Sequence, residues 1–123
     1  MTEERKDAIE QFIIDWYWDK ASQEFAFELA DYLFQFLDYL NDEKKVSERT
    51  FRKHKNNCWA LGILICQYGY HEKFTPQVFA YPPYHEFEFK RKHLASDYAL
   101  KSYYSTCNKV EKYALKKGEL KYD

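Results

Sequence analysis

The stretch SQEFAFELADYLFQFLDYL, residues 22–40, decides the fold. Apolar and aromatic side chains occupy most of it, from Phe25 and Phe27 through Tyr32, Leu33 and Phe34 to Leu40. One polar stripe remains, at Glu24, Glu28, Asp31, Gln35, Asp38 and Asp42. Its steps of 4, 3, 4, 3 and 4 residues follow one edge of an α-helix and not the alternation of a strand. A helix with so narrow a polar edge is either central among other helices or half of an oligomer interface. The stretch therefore predicts a helix over 22–40, buried on two sides, and a homodimer or larger assembly as one way of covering the second side.

Outward from it, three more helices are expected. The first spans about 2–19, with Thr2 as its cap, Glu3 and Glu4 in its first turn, and Ile9, Phe12, Ile13 and Trp16 on its inner side. The third spans 47–68, capped by Ser47, with Val46 and Phe51 placed as a hydrophobic staple and Gly69 as its stop. The fourth spans 96–117, with Leu100, Tyr103, Cys107, Val110 and Ala114 inward and Gly118 after its end. Gly62 inside the third helix costs ~1 kcal/mol relative to alanine, which the close approach of a neighbour would explain.

Residues 70–95 break the pattern. Thr75 and Pro76 open one short helical turn, with Phe74 and Phe79 as its staple, and Pro82 and Pro83 close it. YHEFEFKRKH, residues 84–93, then alternates aromatic and charged side chains as a strand does, which would turn Phe87 and Phe89 to the core and Glu88 and Lys90 to solvent. The fold class expected is mainly α: a four-helix bundle-like single domain of 123 residues with an aromatic-rich irregular or short β excursion between helices 3 and 4.

Composition narrows the function. Twelve Tyr, ten Phe and three Trp mark a folding chain, and three Gly and three Pro are too few for a β-sandwich. The longest uncharged run, residues 56–71, falls short of the ~20 apolar residues a membrane span needs. Residues 1–11 are polar and carry no secretory signal. The three cysteines include no CxxC, and Cys58 and Cys66 would lie ~12 Å apart along one helix, too far to bridge. These features predict a cytoplasmic protein with buried free thiols and no membrane partner. Charge is divided: residues 1–46 hold 12 acids and 5 bases, residues 47–123 hold 14 bases and 8 acids. Pairing across the helix 2–helix 3 loop, with Asp38 facing Arg49 and Gln35 facing Arg52, is the simplest use of that division.

Several constellations carry chemical meaning. Arg49, Thr50, Arg52, Lys53 and Lys55 resemble the basic face that a helix-turn-helix motif presents to nucleic acid, although the loop from Asn41 to Val46 is longer than such a turn. Glu88-Phe89-Lys90 matches half of a metal-dependent nuclease strand, but no Asp occurs between residues 43 and 96 to complete it. His54 and Cys58, four apart on a helix, are candidate metal ligands. His71, His85, His93 and Cys107 do not extend them at a ligand spacing, so a buried Cys58 beside a partly exposed His54 is the simpler reading. No phosphate loop, nucleophile elbow or Glu-x-x-His pair occurs, so no catalytic group and no cofactor is expected. The expected function is a non-catalytic helical protein that binds another protein through Tyr84, Lys90, Arg91 and Lys92. Nucleic-acid binding through residues 49–55 and 90–92 is the alternative. An enzyme or metal-binding protein with a pocket under residues 70–95 is the third.

Overall fold

The first helix is shorter than its periodicity predicts, because Asp19 caps the next one. In the computed structural model, which describes residues 1–68, 72–81 and 86–122, α1 spans Glu3–Phe12 and α2 spans Lys20–Asp42. Between them the chain turns, with Trp16 N donating to Ile13 O at 2.7 Å. Asp19 is extended; its carboxylate accepts from Ser22 N at 2.8 Å, and its own N–H donates to Ser22 Oγ at 3.1 Å. This reciprocal capping box satisfies helix N–H groups that would otherwise lack partners. The turn still delivers Ile13 and Trp16 to the core beside Ile9, so the inner side read from periodicity holds although the helix does not continue.

α2 is central. Phe34 meets Phe12 of α1 edge to face, with ring centroids 5.1 Å apart. Along its other side Phe25 and Tyr32 meet Phe74, and Tyr32 stacks on Phe79. The second apolar side of α2, the basis for expecting an oligomer, is thus covered within the chain. Of the polar stripe, Asp31 is half-buried and the rest is exposed.

α3 (Glu48–Tyr68) starts where expected: Ser47 Oγ accepts from Thr50 N at 3.1 Å, and Val46 and Phe51 are both partly buried. At Gly62 a Cβ would lie 2.0 Å from Cη2 of Trp16, so the absent side chain makes room for the indole. The close neighbour is a turn residue and not a helix.

The excursion differs from its reading. A 3-10 turn, Pro76–Phe79, forms at the expected place, with Phe74 and Phe79 rings 6.1 Å apart, although Thr75 makes no side-chain cap. Gln77 clasps the C-terminal segment, donating to Lys121 O at 2.8 Å and accepting from Lys121 N at 3.1 Å. Gly118, at φ 73°, lets the chain reverse after the last helix to reach it. Residues 86–93, read as a strand, are helix α4 (Glu86–His93), and no strand occurs among the described residues. Alternation over eight residues is too short a signal to exclude a helix. α5 (Asp97–Lys116) carries the predicted stripe: Leu100, Tyr103, Cys107, Val110 and Ala114 are buried, and Ser96 Oγ accepts from Ala99 N at 3.2 Å. The fold is mainly α, and no helix among the described residues is long and apolar enough to cross a membrane. Gly69, Tyr70, Pro82 and Pro83 lie outside the described residues.

Candidate functional site

Charge order explains why residues 86–93 form a helix. Glu86 and Glu88 stand in the first turn, Lys90, Arg91, Lys92 and His93 in the last, so both ends complement the helix dipole. Arg91 pairs with Glu88 at 2.7 Å and Lys90 approaches Glu86 at 3.9 Å. Lys90 also reaches Asp97 of α5 at 2.7 Å, which raises the pKa of the lysine and lowers that of the aspartate. Lys92 bonds Gln67 of α3. Two of the three cations expected to project toward a partner, Lys90 and Lys92, therefore also hold α4 against α5 and α3.

Only one phenylalanine of the segment faces inward. Phe89 is buried and stacks on Tyr103, with centroids 4.4 Å apart and planes at 19°. His93, one turn on, packs against Phe89 and against Trp59. Burial holds the His93 pKa below its ordinary value, with the Lys92 charge acting the same way. Phe87 is 75% exposed, which corrects its expected place in the core. A helix turns ~200° between residues 87 and 89, which a strand would leave on one side. Leu94, seven residues after Phe87, is 92% exposed and holds φ 46°, a conformation that costs a side-chain-bearing residue. Leu94 lies past the end of α4, so helical periodicity does not link it to Phe87; the two are exposed apolar side chains at either end of this segment. Glu88 and Lys90, the half-motif of a nuclease strand, sit on this helix, and Glu88 is held by Arg91.

The cations of residues 49–55 do not share one face. Arg52 pairs with Glu48 at 2.8 Å and Lys55 lies over the Phe34 ring. Arg49 and Lys53 line a hollow with Asn57 and with Tyr98 and Ser102 of α5. Asp38, expected to face Arg49, is taken by Arg5 of α1 at 2.7 Å, while Gln35 bonds Asp31. The loop register placed α2 and α3 correctly as neighbours but could not know that α1 supplies a nearer cation.

His54 is 1% exposed, not partly exposed as expected. Its Nδ1 lies 2.7 Å from Thr106 Oγ1, which also accepts from Asn57 Nδ2 at 2.9 Å, and Asn57 Nδ2 reaches Ser102 Oγ at 3.1 Å. This polar seam joins α3 to α5. Burial pushes the imidazole pKa down to about 4, with Lys53 and Lys109 adding to the shift, so His54 is neutral at neutral pH. Cys58, Cys66 and Cys107 are all buried free thiols. Burial raises all three, Cys66 and Cys107 to about 12, which removes them as nucleophiles. Among the described residues no group of three or more His, Cys, Asp or Glu side chains could hold a metal. The bond from His54 goes to a threonine and leaves Cys58 in apolar surroundings. Tyr84, His71 and His85 lie outside the described residues.

Comparison with family models, with curated proteins and with solved structures finds no match. Any functional reading therefore rests on this geometry. Two features escaped sequence reasoning. The outward place of Phe87 appears only once the segment is read with a helical period, and nothing local showed that Leu94 would be exposed. A row of lysines on α5, Lys109, Lys112 and Lys116, was visible at steps of 3 and 4, but nothing local showed that they border a pocket.

Proposed function

We propose that the protein is a non-catalytic helical binding module whose α4 face docks another protein. The observation that carries this reading is the outward pair Phe87 and Leu94. A short helix needs one apolar side to pack, and α4 already uses Phe89 and His93 for that. The second side contributes nothing to the described core, and a leucine at positive φ in solvent serves stability poorly. Lys90, Arg91 and Lys92 supply a charged rim beside an apolar centre, the arrangement common at protein interfaces. The reading needs no catalytic group, cofactor or metal.

Because Lys90 and Lys92 also anchor α4, the apolar pair gives the cleaner test. The Phe87→Ser/Leu94→Ser variant should keep its melting temperature within a few degrees and lose at least about tenfold in affinity for the protein partner recovered with the wild-type chain. Unchanged affinity of that partner for the double variant would end this reading.

A second reading has one observation in its favour. Tyr98 is 81% exposed and shares a hollow with Arg49 and Lys53, and a ring beside two cations suits the base and backbone of single-stranded nucleic acid. Recovery of nucleic acid that depends on Tyr98 and not on Phe87 would favour it.

A further inference from the structure

A pocket of about 550 Å³ opens between the α2–α3 connection and α5. Its walls are Phe36, Tyr39 and Tyr113, and His54 and Thr50 line its α3 side. Four lysines surround it: Lys44 from the connection, and Lys109, Lys112 and Lys116 from α5. No carboxylate among the described residues lines it. We propose that this pocket binds a small, multiply charged phosphorylated anion, gripped by the four ammonium groups. The site is independent of the α4 face and uses none of its residues.

Three observations support a ligand over a solvated surface. First, none of the four lysines has a carboxylate within 4.0 Å among the described residues; other surface cations such as Lys53 and Lys55 also lack one, but these four are gathered around one pocket. Of the acids nearest in sequence, Glu111 accepts from the Tyr122 hydroxyl, and Asp42 and Glu43 line an adjoining hollow with Asp38, which shares Tyr39, Tyr113 and Lys116 with the pocket. Like charges gathered around one pocket repel one another, and an anion seated among them relieves that repulsion.

Second, the connection is bent to bring Lys44 opposite α5. Lys45 holds φ 50°, and Lys44 N and Val46 N donate to Tyr39 O and Leu40 O, closing the end of α2. Lys44 and Lys116 both lie over the Tyr39 ring, at 5.8 and 5.7 Å from its centroid, so two of the four cations share one aromatic surface at the rim.

Third, the pocket offers a neutral donor. Thr50 Oγ1 accepts from Ser47 Oγ at 3.1 Å, which leaves the Thr50 hydroxyl proton to donate to a phosphoryl oxygen. Four ammonium groups beside a neutral hydroxyl suit a compact anion of several charges better than a singly charged carboxylate. The volume falls in the range of small-ligand sites.

The test is calorimetric titration of the full chain with sodium tripolyphosphate at physiological salt, together with melting curves. Saturable one-to-one binding is expected, with a melting temperature that rises with ligand concentration. The Lys109→Gln/Lys112→Gln variant should bind at least about tenfold more weakly and melt, without ligand, no lower than wild type. Lys112→Gln alone should show a smaller loss in the same direction, which keeps the test decisive if the double variant fails to fold. Arg52→Gln, outside the pocket, should bind as wild type does. Absence of saturable binding, or equal affinity in Lys112→Gln and wild type, would overturn the proposal. An oligonucleotide that binds through these lysines where tripolyphosphate does not would also overturn it, in favour of a polymeric anion.

Discussion

Gly62→Ala is expected to lower the unfolding free energy by about 2–3 kcal/mol, although the same change inside an ordinary helix gains ~1 kcal/mol. The added Cβ would stand 2.0 to 2.5 Å from three ring carbons of Trp16, closer than any real contact. Relief would require the indole to move, and the indole is 1% exposed, wedged between α1 and α3 beside the Phe12 ring. Trp16→Ala alone should cost ~3–5 kcal/mol by leaving a cavity. Its Nε1 has no hydrogen-bond partner among the described residues, so that cost is one of packing. The decisive measurement is the double variant in urea. Once the ring is gone, Gly62→Ala should cease to destabilise and recover its propensity gain. A Gly62→Ala penalty of the same size with and without Trp16 would show that the glycine is needed for another reason.

Acidification is expected to cost up to about 3 kcal/mol between pH 6.5 and pH 4, chiefly through His54. The sign follows from proton counting. The folded-state pKa, about 4, lies below the ordinary 6.5, so within that window the unfolded chain binds the proton and the folded chain does not. Stability is therefore complete above pH 6.5 and is lost as the pH falls toward 4. The folded side resists protonation because the imidazole is buried and because Lys53 and Lys109 stand near it, with Lys44, Lys112 and Lys116 around the same pocket. His93, also shifted down, adds a smaller contribution of the same sign. Asp19 and Asp97 are held below the ordinary carboxylate value, so their losses begin at lower pH. Urea unfolding at a series of pH values should show the slope, and His54→Gln, whose amide still reaches Thr106, should remove most of it. A slope unchanged in His54→Gln would place the acid sensitivity elsewhere.

Both predictions depend on contacts between residues far apart in the chain, and this separates what could be read early from what could not. The extents of α2, α3 and α5 were legible, because caps and periodicity act over a few residues: Ser47, Ser96 and the inner stripe from Leu100 to Ala114 stand as read. The early end of α1 was legible too, in the Asp19-to-Ser22 spacing, but the longer apolar pattern through Trp16 masked it. Residues 86–93 were not, since alternation over so short a segment does not exclude a helix and its partners, Tyr103, Gln67 and Asp97, lie in other helices.

By itself the sequence determined a mainly helical chain, an aromatic α2 apolar on two sides and mostly buried thiols, because the apolar faces of a helix follow from the residues on that helix alone; that α2 is central was decided by the packing. Only the tertiary structure decided that Arg5 and not Arg49 takes Asp38, and that His54 meets Thr106. It likewise decided that Gly62 accommodates an indole and that four lysines surround one pocket. Each of those depends on which distant side chain arrives first at a given place. That is settled by packing a whole core at once, not by any local pattern.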